Sequence, residues 1–144
     1  MRKTLCSFLL FTSIHSFADS IVEVERAFAV AVPPGQRNSA AFMTLKNNSA
    51  RPLMLVAADS SISEISELHT HSEVDGVMMM RKINQIEIPS KGKAELKSGG
   101  LHIMLIGLKT ELSAGSKFDL SLKFSDGSEQ DIVVPVESIS MQSH

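Results

Sequence analysis

The feature that most constrains this chain is the repeated return of turn signals between short apolar runs. The turn signals are Pro33-Pro34-Gly35, Asn47-Asn48, Asp75-Gly76, Lys91-Gly92, Gly99-Gly100, Ala114-Gly115 and Asp126-Gly127. The runs between them, such as "AAFMTLKN", "LHIMLIGL" and "KFDLSLKFS", are rich in alternating apolar and polar residues. Many short strands at this spacing predict an all-β chain that folds as a β-sandwich or Greek-key barrel.

The two ends of the chain depart from this pattern. A basic start precedes the apolar run "LCSFLLFTSI", and small residues follow at positions 16 and 18. We interpret residues 1–18 as a secretory signal that directs the chain to an oxidising compartment and is cleaved before Asp19, because the apolar run is too short to span a membrane. Residues 19–137 are then predicted to form one domain with its own core. Residues 138–144, "SISMQSH", lose the apolar pattern and are expected to form a short flexible tail.

Composition argues against several classes of protein. The net charge is −2 and basic residues form no run, so we expect no nucleic-acid partner. The mature chain has no second apolar stretch that would predict a membrane span. The single cysteine, Cys6, lies within the predicted signal, so the mature chain has neither a thiol nor a disulfide. No Ser-His-acid or paired-carboxylate arrangement is evident, and we expect the protein not to be an enzyme.

Histidine and methionine are concentrated in two short segments, "HTHSEVDGVMMM" from His69 to Met80 and "HIM" from His102 to Met104. If Asp75-Gly76 forms a two-residue hairpin turn, His71 lies opposite Met80. Because side chains alternate along a strand, His69, His71, Met78 and Met80 would then share one face. In "LHIMLIGL" the same alternation places His102 and Met104 together, opposite the apolar residues.

This arrangement has two interpretations. Methionine packs readily in cores, and we assign Met43, Met54 and Met79 to packing. The two His-Met combinations indicate either a metal site or an incidental Met-rich surface, and strand parity alone leaves both open. The donor chemistry favours one metal over others, because a neutral, soft thioether prefers Cu(I) to Zn²⁺, Ca²⁺ or Mg²⁺.

The spacing His69-x10-Met80-x21-His102-x-Met104 resembles the H-x10-M-x21-H-x-M signature of the periplasmic copper chaperones called PCuAC, which supply copper to cytochrome oxidase. The likeness extends from about residue 21 to residue 136. It includes "ELH", "DGVMMMR", "IEIPSKGKAEL", "GGLHIMLIGLK" and "LSAGSKFDLSLKF". One departure is Phe42, which stands where many relatives have tyrosine.

The resemblance implies a cupredoxin-like Greek-key β-sandwich that binds one Cu(I) near its surface. The ligands that it implies are His69, Met80, His102 and Met104. It also implies a metallochaperone that delivers copper to cytochrome oxidase copper-site assembly, with an apo copper domain of the oxidase or another copper-assembly chaperone as partner. We expect a monomer.

Two further features bear on this expectation. We interpret His71 as a solvated strand residue rather than a fifth ligand. Some relatives carry a His/Met-rich extension that binds additional copper, whereas the tail here offers only Met141 and His144.

Other functions remain to be distinguished from copper delivery. A blue-copper electron carrier would need a cysteine thiolate, which the mature chain lacks. A periplasmic copper-buffering or tolerance protein without a dedicated acceptor is the main alternative. An adhesive or structural sandwich with an incidental Met/His patch is a more remote one, and metal binding would separate it from the other two.

Overall fold

The computed structural model describes residues 21–139, which form ten β-strands and no α-helix. The strands are β1 (Val22–Val30), β2 (Asn38–Asn47), β3 (Leu53–Asp59), β4 (Ser63–Val74), β5 (Val77–Lys82), β6 (Ile86–Ile88), β7 (Lys93–Leu96), β8 (His102–Leu108), β9 (Lys117–Phe124) and β10 (Glu129–Glu137). Every predicted turn lies at a strand end or between two strands. The prediction of an all-β chain is therefore confirmed.

Some of the predicted features fall on the ends of the chain. The predicted signal at residues 1–18, with Cys6, and the tail residues Met141 and His144 lie outside the described residues. Over residues 21–139 the structure contains no helix with the length and apolarity that crossing a membrane requires.

The strands form two connected layers. One layer has the order β5-β4-β8-β2-β1, with β7 paired to the far end of β2, and the other has the order β10-β9-β3-β6. A short parallel pairing of β1 with β10 joins them. Because β8 lies between β4 and β2, its neighbours in space are not its neighbours in sequence, as in Greek-key arrangements.

One core lies between the layers, because alternate side chains of both point inward. Strand β9 shows the period clearly, with Phe118, Leu120, Leu122 and Phe124 buried and the residues between them more exposed. On the opposite layer Leu68 of β4 and Ile103 and Leu105 of β8 belong to the same core. The other face of β4 and β8 is therefore the outer face of its sheet.

The β4–β5 hairpin has the predicted register. Val74 pairs with Val77, and His71 pairs with Met80. Asp75 and Gly76 both have positive φ, at 51° and 78°. A type I′ turn requires this conformation at both central residues, which explains the Asp-Gly sequence.

The assignment of Met79 to the core is wrong, whereas that of Met43 is confirmed. Met43 is 2% exposed and Met79 is 50% exposed. Among the described residues, strand β5 is the edge of its layer and pairs only with residues 69–74 of β4, of which residues 70–74 lie beyond the pairing with β8. All six residues of β5 are exposed. Met79 points to the inner side of its sheet, but the core does not extend beneath this edge strand.

This difference predicts opposite outcomes for two methionine truncations. Met43→Ala leaves a cavity in the core and should lower the free energy of unfolding by roughly 2–5 kcal/mol. Met79→Ala removes a half-exposed side chain and should change it by no more than about 0.5 kcal/mol. Urea unfolding of both variants tests this, and a large loss for Met79→Ala would mean that β5 is covered.

Candidate metal centre

Three neighbouring strands carry the predicted donors. His69 lies in β4, with His102 of β8 directly opposite on one side and Lys82 of β5 on the other. Met104 lies opposite Glu67, and Met80 lies opposite His71. Each methionine therefore lies two residues along the neighbouring strand from the position directly opposite His69. Long side chains can bridge such a diagonal. The fold thus brings His69, Met80, His102 and Met104 to the outer face of β5, β4 and β8.

Aromatic rings gather around His102, which is itself only 2% exposed. Its ring centroid lies 5.8 Å from that of His69, 5.2 Å from that of His71 and 6.2 Å from that of Phe42. Phe42 in turn packs against Phe28 at 5.4 Å. The sequence placed His102 on the outer face, but these neighbours bury it there.

The hydrogen bonds of His102 determine its tautomer. Its Nδ1 lies 2.9 Å from the carbonyl oxygen of Gly100, which can only accept, so Nδ1 carries the proton. Gly99, in the turn before Gly100, has a φ of 79°. Burial lowers the pKa of His102 below its ordinary value, against the opposing effect of the Gly100 hydrogen bond. The ring is therefore neutral, and its buried Nε2 has a free lone pair and no hydrogen-bond partner among the described residues.

His69 is held in the opposite tautomer. Its Nε2 lies 2.8 Å from Oε2 of Glu67, whose Oε1 accepts from Nζ of Lys82 at 3.0 Å. The hydrogen bonds from His69 and Lys82 lower the pKa of Glu67, so this carboxylate is ionised and can only accept. His69 therefore donates from Nε2, so that in the neutral ring the lone pair is on Nδ1, which is buried and has no hydrogen-bond partner among the described residues.

Sequence reasoning missed two features of this centre. The first is the pair Glu67 and Lys82, which the hairpin register and the alternation along β4 could have placed beside His69. The second is the burial of Nδ1 of His71, a residue that the sequence placed on this face and interpreted as solvated. Its ring is half-buried, and its Nδ1 is buried without a partner among the described residues.

The donor set has a consequence for the metal that it can hold. Buried polar atoms without partners are rare and costly, and here three of them belong to adjacent imidazoles. In the part of the chain from residue 21 to residue 139, no three His, Cys, Asp or Glu side chains are arranged to hold a metal by themselves. The thioethers of Met80 and Met104 lie on the same face as these imidazoles, and thioether donors favour soft ions.

Comparison with known proteins gives matches over most of the chain. The sequence model of the LpqE-like family, described as "Putative lipoprotein LpqE-like", matches residues 22–136. A relative from Leifsonia xyli subsp. xyli, "Putative lipoprotein Lxx21020", is 37% identical over 120 residues, which cover 83% of this chain and 71% of that protein.

Solved structures share the fold. The solution structure of Cu(I)-DR1885 from Deinococcus radiodurans matches with a TM-score of 0.67 and 33% identity, over 85% of this chain and 81% of that one. The copper-bound PCuAC domain of PmoF2 matches with a TM-score of 0.70 over 87% of this chain and 99% of that one, at 19% identity. The fold is thus that of PCuAC domains.

The two tautomers can be tested without any metal. Long-range ¹H–¹⁵N spectra of the metal-free protein should show His102 protonated at Nδ1 and His69 at Nε2. Because burial lowers its pKa, His102 should also remain neutral to lower pH than an exposed histidine. His102 titrating at the ordinary value, or protonated at Nε2, would contradict the geometry described above.

Proposed function

The chain belongs to the LpqE-like family, and we propose that it is an exported carrier of Cu(I) that binds one ion through His69, Met80, His102 and Met104. The lipoprotein descriptions of the family and of the Leifsonia relative support export. Copper in the matched DR1885 structure supports the choice of ion. The proposal assigns no catalytic step to the chain.

The observation that carries this proposal is the pair of buried ring nitrogens, His69 Nδ1 and His102 Nε2, that have no hydrogen-bond partner among the described residues. Each ring is oriented by a hydrogen bond from its other nitrogen, to Glu67 or to Gly100. This is the outer-shell arrangement that fixes the tautomer and direction of metal-bound histidines.

The thioethers on the same face select the ion. Two neutral imidazoles and two neutral thioethers leave the charge of Cu(I) unchanged, and none of the four donors has to lose a proton once the histidines are neutral. Zn²⁺ would gain little from methionine, since its sites are built from Cys, His and carboxylates. We therefore infer a preference for Cu(I) over Zn²⁺.

Uneven exposure of the donors supports a role in transfer. His102 is 2% exposed, whereas Met80, on the edge strand, is 47% exposed. An incoming ligand from another protein would meet Met80 first and could displace it while His102 still holds the ion. We infer that copper is handed on through such shared-ligand intermediates in the periplasm, to an apo copper domain of cytochrome oxidase or to another copper-assembly chaperone.

The ligand assignment predicts different effects for two adjacent methionines of β5. Met80→Leu conserves volume but removes the sulfur on the imidazole face. It should weaken Cu(I) binding by more than the roughly 10–100-fold that the loss of an outer-shell partner typically costs. Met79→Leu, on the opposite face of the same strand, is the matched control and should bind like the wild type. Competition titration with a Cu(I) chelator gives both affinities.

X-ray absorption of the wild-type complex supplies the second readout for this prediction. It should show one Cu(I) per chain with nitrogen and sulfur in its shell. An all-nitrogen and oxygen shell, or equal loss of affinity in both variants, would refute the assignment of Met80.

Direct transfer predicts protection of copper from competitors. The Cu(I)-loaded protein is mixed with an apo copper domain of cytochrome oxidase and a strong small-molecule chelator that cannot enter a protein interface. Copper should reach the oxidase domain faster than the chelator removes it from the carrier alone. If the chelator intercepts all of the copper, the protein is better described as a copper buffer without a dedicated acceptor.

A further inference from the structure

Strand β5 presents a free backbone edge. Among residues 21–139 it pairs only with β4. The N–H of Ile83, the residue after β5, donates to the carbonyl oxygen of Leu68 in β4. Because hydrogen-bonded and non-hydrogen-bonded pairs alternate along an antiparallel ladder, the other odd-numbered residues of β5 also bond to β4. The N–H and C=O groups of Met78, Met80 and Lys82 therefore point away from β4, to the free edge.

Apolar side chains line both sides of this edge. Val77 and Met79 point to the inner side of the sheet but lie beyond the core, and each is about half exposed. Met78 and Met80, on the outer side, are exposed to a similar extent. A further strand that paired with the edge would reduce the exposure of all four side chains at once.

The charges at the two ends of the hairpin are opposite. Glu73 and Asp75 lie at the turn end, and Arg81 follows the methionines at the other end. None of these three forms an ion pair within residues 21–139, whereas Lys82, next to Arg81, is paired with Glu67. An antiparallel copy of the same edge would place the acidic end against the basic end twice. The edge is thus complementary in charge to itself.

Symmetry limits how two such edges can pair. A two-fold axis between antiparallel strands makes one residue face its own copy. Arg81 in that position would bring like charges together, and Met80 would leave Asp75 farther from the basic side chains. A position nearer the turn than Met79 would shorten the paired stretch. With Met79 on the axis, most of the strand is paired and Arg81 lies one diagonal from Asp75, within reach of a long side chain.

We propose that two copies of the chain form a homodimer by antiparallel pairing of their β5 edges, about a two-fold axis at Met79. On the inner side, Met79 packs against the partner's Met79, and the core is extended between the copies. On the outer side, the partner's Met78 lies directly opposite Met80 and places a second thioether beside the candidate metal centre. Edge pairing continues the sheet, so the outer face itself stays open.

The interface is small, and the association is therefore weak. One edge strand of six residues from each copy buries far less than the roughly 800 Å² per partner of a standard interface. We expect monomers at low micromolar concentration and dimers at millimolar concentration. Dilute monomers keep a bare edge, so the dimer is not required for copper binding or transfer.

Cysteine cross-linking of the metal-free protein tests the pairing and its register. Met79 would face its copy at a non-hydrogen-bonded position, where Cα atoms are about 4.5 Å apart and a disulfide can form. Met79→Cys should therefore give a disulfide-linked dimer with glutathione disulfide as the oxidant. Val77→Cys is the matched control, because Val77 is on the same side but on the order of 13 Å along the strand from its copy. Both are made in a Cys6→Ser background, since Cys6 is the only native thiol.

Sedimentation velocity over a range of concentrations measures the dimer without a cross-link. Met78→Pro removes an N–H that points to the free edge and leaves the bonds to β4 in place, so it should abolish the dimer. Met78→Leu keeps the N–H and should dimerise like the wild type. Asp75→Asn preserves the type I′ turn and should raise the dissociation constant severalfold while reducing its dependence on salt. Thermal melts establish that each variant folds.

Several outcomes would overturn the inference. A wild type that stays monomeric up to millimolar concentration does so, as does cross-linking of Val77→Cys to the same extent as Met79→Cys. A folded Met78→Pro that dimerises like the wild type would place the interface elsewhere and also overturns it. None of these measurements involves copper, so each leaves the proposed function as it stands.

Discussion

The candidate site depends on one physical circumstance, the burial of the His102 imidazole on the outer face of its sheet. Phe42 lies against the ring on one side, and the rings of His69 and His71 lie against it on the others. Because Nδ1 is bonded to Gly100, only Nε2 remains for a ligand, and a buried nitrogen in that state costs about 1–3 kcal/mol if left unpaired. A metal bond would offset that cost. The fold therefore holds one donor rigid and neutral before any ion arrives.

Strand β8 contributes to both the core and the candidate site, because one of its faces carries apolar side chains and the other carries histidine and methionine. Ile103 and Leu105 point into the core and are fully buried, while His102 and Met104 point to the other face. The inner end of the site is thus anchored on a strand whose neighbours, β4 and β2, are paired on both sides. Changes to the donors leave the core contacts in place, which is why affinity and stability can be measured separately in the variants described above.

Much of this architecture follows from the sequence, and the exceptions share a cause. The Asp75-Gly76 turn fixes the hairpin register, and period-2 alternation then places His71, Met80, His102 and Met104 on one face. Alternation cannot tell whether a face is covered. It therefore assigned Met79 to a core that does not extend beneath β5, and left His71 solvated. The Lys82–Glu67–His69 contacts were also missed, because they need the pairing of β4 with β5 to be combined with side-chain reach. Whether a sheet face is covered, and which side chains can reach each other, depends on the tertiary structure. The assignment of ligands remains a prediction from the spacing motif.

The edge strand shows what the proposed function requires of the fold. Val77, Met78, Met79 and Met80 are each about half exposed on a strand whose outer edge has no partner among residues 21–139. Such an edge is ordinarily an aggregation hazard, and natural proteins cover it or place charges along it. Here Arg81 and Lys82 supply charge at only one end. Under the proposed function, covering β5 would bury Met80 and close the route by which an incoming ligand would reach the ion. A bare edge of flexible, uncharged methionines is thus the arrangement that a carrier needs and a permanent metal site does not.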